Sequence, residues 1–219
     1  MTLSQGRLKR RLLAGARILV DYPRRIFTKI SLSAVVIDSQ VNRGTALDSR
    51  VRFYRSEIGR YSHIARGTFV ESTSIGAFCS IGGACCIGGG AHPLMSVSTS
   101  PVFHSGGNIL GTVFSPIEYN PFERTIIEND VWIGNGVRVK SGVRILTGAV
   151  VGMGSVLTKD VGPYEIWAGN PARMIRKRFD ERIIDILLES EWWLYSDDQR
   201  ISIAELFGSP EAFIEEVMA

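Results

Sequence analysis

From Ile127 to Leu157 aliphatic residues recur at every sixth position, as Ile127, Ile133, Val139, Ile145, Val151 and Leu157. From Ile133 on, Val137, Val143, Ala149, Ser155 and Val161 hold the place four residues later. A helix repeats every ~3.6 residues and a two-faced strand every ~2, so a beat of six fits neither. It predicts an internal repeat in which each hexad is one short strand and a corner. Ile75, Ile81 and Ile87 keep the same beat earlier in the chain, each followed by a glycine (Gly76, Gly82, Gly88) that lets the backbone bend where a side chain would obstruct. Further upstream the series Val35, Val41, Leu47 and Phe53 continues it, slips by one residue to Ile58 and Ile64, and slips again near Phe69 and Val70. One aliphatic residue per hexad is expected to point into a prism and to stack on its equivalents above and below, where a charge would lie buried without a partner.

Between Gly88 and Glu128 the beat disappears, and the segment GGGAHPLMSVSTSPVFHSGGNILGTVFSPIEYNPFE is rich in Gly, Ser, Pro and aromatic residues. A long irregular insertion in a regular scaffold is usually functional. Before the repeats, Leu8, Leu12, Leu13, Ala16, Leu19 and Val20 recur near helical spacing among basic residues, with Tyr22-Pro23 as a stop. After them, Gly169, Asn170 and Pro171 make a turn. Asp180 to Glu191 then reads as an amphipathic helix with Ile183, Ile184, Leu187 and Leu188 on one side, followed by Trp192-Trp193 and further apolar residues expected to close the open end of the prism. The expected organisation is a basic helical extension over 1–33, a β-helix over 34–175 with an insertion at 88–126, and a helical cap over 176–219.

Charge sharpens this picture. The net charge of +3 hides eight basic residues against one acid in the first thirty positions, which leaves 17 basic and 21 acidic residues in the remainder. Two readings of the basic helix stay open: a helix packed on the solenoid with a solvated face, or an amphipathic helix drawn to anionic lipid at the inner face of a membrane. No window reaches the ~18 apolar residues of a membrane span. Cys79, Cys85 and Cys86 form no C-x-x-C pair, and Cys79 and Cys85 hold the small-residue place of successive hexads, so they are read as core residues in a reducing cytoplasm.

The hexads resemble those of the hexapeptide-repeat acyltransferases. Within that family the loop text HPLMSVSTSPVF, the VWIGNG start of the second block, SVLTKDVGPYEIWAGNPAR and the trailing Trp-Trp pair are similar to the xenobiotic-acetyltransferase branch over roughly residues 56–200. That branch includes chloramphenicol and streptogramin acetyltransferases and many O-acetyltransferases of capsule and lipopolysaccharide sugars. The resemblance implies an all-β fold, a left-handed parallel β-helix of triangular section. It also implies a homotrimer, acetyl-CoA as acyl donor in a groove between subunits, and His92 as general base. An imidazole placed to take the proton of an attacking hydroxyl is worth ~10² to 10⁴ in rate. By the same resemblance Trp132, Asn135, Met153, Thr158, Lys159, Arg173 and Arg176 contact the cofactor; the branch commonly has serine at the Asn135 position and alanine at the Met153 position. Lys159, Arg173 and Arg176 suit phosphate oxygens by charge.

The function expected is O-acetylation of a sugar or a cell-surface polysaccharide precursor, with no metal and no nucleic-acid partner. Acetylation of an antibiotic and a non-catalytic scaffold are the alternatives. A zinc carbonic anhydrase would need three histidines around each metal, drawn from repeated walls. His63, His92 and His104 are the only histidines here; two share the irregular loop, and His63 is expected to face outward from a strand. His104 lies outside the pattern that the resemblance matches and is not carried over as a site residue.

Overall fold

The computed structural model describes residues 29–105, 108–115 and 117–218, and the expected basic helix falls outside the described residues. The hexads form a parallel β-solenoid with three walls. The first wall stacks Val35–Ile37, Arg52–Tyr54, Phe69–Glu71, Cys86–Gly88, Arg138–Val139 and Val156–Leu157. The second stacks Gln40–Val41, Glu57–Ile58, Thr73–Ile75, Thr125–Ile127 and Arg144–Ile145. The third stacks Ala46–Leu47, His63–Ile64, Ser80–Ile81, Trp132–Ile133, Val150–Val151 and Glu165–Gly169, and ends on the antiparallel strand Ala172–Lys177. Strands this short stand only because each is hydrogen-bonded to the coils before and after it.

Their registers line up the inward residues. Leu47, Ile64, Ile81, Ile133 and Val151 pair in sequence on the third wall, and Phe53, Val70, Ile87, Val139 and Leu157 on the first. All but Val139 and Ile64 are wholly buried, and each side chain so removed from water contributes about 1.5–3 kcal/mol. Two residues before several of the inward ones sits a hydroxyl or thiol residue that links coils, and elsewhere that place is taken by valine or alanine. Thr45 Oγ1 donates to Gly59 O at 3.1 Å, Ser62 Oγ to Gly76 O at 2.7 Å and Thr68 Oγ1 to Gly82 O at 2.7 Å. Cys79 and Cys85 occupy the same places, with their thiols against the carbonyls of Glu128 and Gly134.

The slips in the beat fall at one edge. Val35, Arg52, Phe69 and Cys86 pair in succession, so the upper coils take 17 residues, whereas Arg138 and Val156 stand 18 apart. The missing residue is at the corner between the first and second walls, where Asp38, Arg55 and Ser72 take positive φ values of 50°, 47° and 49° to turn in less chain. This corrects the expected inward role of Val35, because Val36 pairs with Phe53 and packs on the core. The insertion leaves from the same edge. Gly88 has φ of 71°, and a Cβ there would lie 2.1 Å from Glu71 O, so only glycine lets the chain depart at this point.

The C-terminal helices are α1 (Glu181–Glu189), capped by Asp180, α2 (Asp197–Ser202), opened by a Ser196/Gln199 capping box, and α3 (Pro210–Met218). They do not close the end of the prism, as the sequence suggested; they run back along the edge between the second and third walls. Trp192 packs on Phe78 with ring centroids 5.0 Å apart, Arg60 donates to the carbonyls of Trp193 and Tyr195, Tyr61 donates to Asp197, and Arg178 donates to Gly148 O and pairs with Asp130. These corner residues come from successive coils and offer aromatic and charged partners that an open end, made of short apolar stacks, does not. Trp192 and Trp193 are both buried, as packing residues.

Cys79 and Cys85 are 0% and 3% exposed; burial pushes both thiols up, that of Cys79 to about 12. A thiolate-dependent reagent such as DTNB is therefore expected to modify these two only at the rate of global unfolding. Peptide mapping after a short native pulse checks this, and early label on either cysteine contradicts the packing described.

Candidate active site

The insertion is tied at its stem and has its own internal order. Ala91 N donates to Pro121 O at 2.7 Å, closing the two arms on each other, and Ser72 Oγ donates to Phe122 O at 3.1 Å. The Arg55 guanidinium lies 4.2 Å from the centroid of the Phe122 ring and is paired with Glu71. Arg124, at the return of the loop, pairs with Glu57 on the second wall at 2.6 Å. Hydrogen bonds from Ser74 and then Arg124 hold the Glu57 carboxyl below its usual range, so this anchor is complete above the unfolded-state pKa and is lost only as pH falls through the lowered one. Farther out, Phe103 packs on Phe114, and Asn108 ties Pro101 O and Thr112 O together through its amide.

Within this frame His92 Nδ1 lies 2.8 Å from Thr99 O. A carbonyl only accepts, so Nδ1 carries the proton and Nε2 of the neutral ring keeps its lone pair. The ring is exposed, turned in a fixed direction, and lines a pocket of about 390 Å³ together with Pro93, His104, Asn108, Tyr119 and Phe122. A fixed imidazole with a free basic nitrogen at the mouth of a pocket is an arrangement suited to taking a proton from a bound hydroxyl.

His104 is the residue the sequence did not single out. It is 6% exposed, packed at a tilt against Tyr119 with ring centroids 5.4 Å apart, and part of the same pocket wall. Its position inside the non-repeating loop was the only available signal. His63 is exposed on the third wall, away from both.

The other expected site residues fall on two edges. Trp132 is 58% exposed on the third wall while Ile133 points inward, and Asn135 and Met153 follow at the corner between the third and first walls. Asn135 Oδ1 accepts from Gly83 N at 2.7 Å, and Met153 is 75% exposed. Arg173 and Arg176 lie exposed on the hairpin strand that ends the third wall, and among the described residues each guanidinium is bonded only to a neighbouring carbonyl. Thr158 and Lys159 lie across the first wall, on the edge from which the loop departs. Among the described residues no acid pairs with Lys159, Arg173 or Arg176, and no cluster of His, Cys, Asp or Glu could hold a metal ion. A single chain thus places His92 on one edge and Trp132, Asn135 and Met153 on the other side of the first wall.

With this geometry in view, known proteins supply the context. A family model described as bacterial transferase hexapeptide (six repeats) matches residues 124–159. A probable macrolide acetyltransferase from Lysinibacillus sphaericus is 40% identical over 146 residues, covering 66% of this chain and 81% of that protein. A chloramphenicol acetyltransferase from Agrobacterium fabrum is 38% identical over 178 residues, covering 69% and 81%. Among solved structures, AntD, an N-acyltransferase from Bacillus cereus determined with dTDP-4-amino-4,6-dideoxyglucose and coenzyme A, superposes with a TM-score of 0.59 at 20% identity over 77% of this chain and 94% of that one, which shows a shared fold. The repeats, their register and the extent of these matches together show that the chain belongs to the hexapeptide-repeat acetyltransferase family.

Proposed function

We propose that the protein transfers the acetyl group of acetyl-CoA to a hydroxyl of a sugar or surface-polysaccharide precursor, with His92 as general base. The observation that carries this reading is the bond from Nδ1 of His92 to Thr99 O at 2.8 Å, which leaves Nε2 as the acceptor for a substrate proton. In the reaction Nε2 removes the hydroxyl proton as the oxygen attacks the thioester carbonyl. The tetrahedral intermediate then collapses, the CoA thiolate leaves, and the imidazolium returns the proton to it. No covalent enzyme intermediate is needed. A pocket of about 390 Å³ is at the small end of the range for ligand sites. Its polar groups and the Phe122 ring suit a sugar-sized polyol.

Acetyl-CoA would lie along an edge where Trp132, Asn135 and Met153 meet the pantetheine arm and Arg173 and Arg176 meet phosphates, with Lys159 reaching a phosphate from the loop-bearing edge of the neighbouring subunit. Because Trp132, Asn135 and Met153 occupy a different edge of the prism from His92, the reading takes the enzyme as a homotrimer in which one subunit's loop faces the next subunit's wall. A second reading, acetylation of chloramphenicol or a related antibiotic, is favoured by the names of the relatives at 38–40% identity. Acetylation assays with acetyl-CoA on methyl pyranosides, maltose, chloramphenicol and a streptogramin separate the two.

His92→Ala is expected to lower kcat at least a hundredfold while calorimetric binding of CoA stays within twofold of wild type; retention of turnover discards the assignment. Lys159→Ala and Arg173→Ala are each expected to raise the KM for acetyl-CoA about tenfold, the loss of one charge-assisted phosphate contact, with the KM for the acceptor unmoved. Steady-state kinetics with either substrate varied measure both.

A further inference from the structure

Resting on the hydroxyl-acetylation reading above, we infer that His104 is an acceptor-binding residue that holds a second hydroxyl beside the one His92 deprotonates, so that the acceptor is a compound with two neighbouring hydroxyls.

Three observations converge on it. His104 is 6% exposed, and neither ring nitrogen has a hydrogen-bond partner among the described residues. A buried imidazole lacking both partners is costly to a folded chain, and such groups are rare unless something else satisfies them. The ring also belongs to the wall of the pocket that His92 lines, with Ser105, Asn108 and Tyr119 beside it. Finally, the loop holds His104 firmly: Ser105 N donates to Ile117 O at 2.7 Å, Phe114 N to Val102 O at 2.6 Å, and the Tyr119 ring packs on the imidazole.

The chemistry of the ligand follows from the donor set. An imidazole with one protonated and one unprotonated nitrogen can both give and accept a hydrogen bond, which matches a hydroxyl better than a carboxylate or an ammonium. Both nitrogens are shielded from solvent, so a turn of the ring must bring one of them to face the pocket when a hydroxyl enters. With His92 on the same pocket, two imidazoles address two oxygens of one molecule. One is the nucleophile and the other a handle that fixes its orientation. A pyranose carries such a pair on adjacent carbons, and chloramphenicol carries a 1,3-pair on its propanediol chain, so the shared chemistry is a diol. His104 on this account is a positioning residue and does not itself move the reacting proton.

The arrangement separates two explanations of a buried histidine. One that serves packing or a structural hydrogen bond destabilises the protein when replaced, whereas one left without partners until substrate arrives does not. The test uses full-length enzyme carrying His104→Phe, which keeps the ring and removes both nitrogens, and His104→Gln, which restores a donor and an acceptor. The expected result for His104→Phe is a thermal midpoint equal to or above that of wild type. Its acceptor KM is expected to rise tenfold or more with the acetyl-CoA KM unchanged, and His104→Gln recovers most of that loss.

Comparing a methyl pyranoside with its monodeoxy analogue lacking the neighbouring hydroxyl adds a readout that packing cannot mimic. Wild type should lose about tenfold in kcat/KM on the deoxy compound and His104→Phe almost nothing. Running chloramphenicol in parallel shows whether the diol comes from a sugar or an antibiotic, since the His104 effect follows the true acceptor. An unmoved acceptor KM in His104→Phe, or a fall of several degrees in its midpoint with both KM values changed together, overturns the inference while leaving His92 in place. Turnover of none of these acceptors by wild type overturns the hydroxyl-transfer reading itself and the inference with it.

Discussion

The molecule depends on one constraint: a prism so narrow that each strand can send only one large side chain inward, and that side chain must stack on its equivalents in the coils on either side. Ile58, Ile75, Ile127 and Ile145 form such a column on the second wall, held in register by the parallel pairing of their strands. Neither the column nor the strands could stand alone. A strand of two or three residues buries too little to overcome its loss of freedom, and stability comes only as neighbours add to one another. The hydroxyl and thiol links between coils belong to the same economy of space, since a polar group buried at that place must be met by a carbonyl beside it.

A wall built this way has little freedom to acquire chemistry, and this is why the proposed catalytic site lies outside it. Inward positions are spoken for, and outward ones repeat at fixed spacing. The insertion after Gly88 escapes the rule because it contributes to no column. Its arms are closed on each other through Ala91 and Pro121 and fastened to the wall through Phe122 and Arg124, and above that stem the loop is free to orient the His92 ring through Thr99 O and to bury His104 against Tyr119. A rigid scaffold with an irregular loop fixed to it is a general way of placing reactive groups without unsettling a core.

The three edges of the prism have different duties. One carries the loop, one carries the C-terminal helices through Phe78, Arg60 and Arg178, and the third, with Asn135 and Met153, carries neither among the described residues. Exposed Trp132 and Met153 beside that uncovered edge are the kind of apolar surface that a partner or ligand covers. The acyltransferase reading gives that edge an occupant.

The repeat, the residues that form its columns apart from Val36, and the packing roles of Cys79, Cys85, Trp192 and Trp193 were legible in the sequence. A period makes each position's surroundings follow from its place in the hexad, so a local pattern carries long-range information. The chain also showed that the insertion was the place to look for a site, and the resemblance pointed to His92 within it. Only the tertiary structure decided the tautomer of His92, the burial of His104, the short corner at Asp38, Arg55 and Ser72 that makes Val36 the inward residue, and the course of the helices along an edge in place of an end. Each of these depends on contacts between segments that share no period, and without a period the identity of a residue says little about what it will touch.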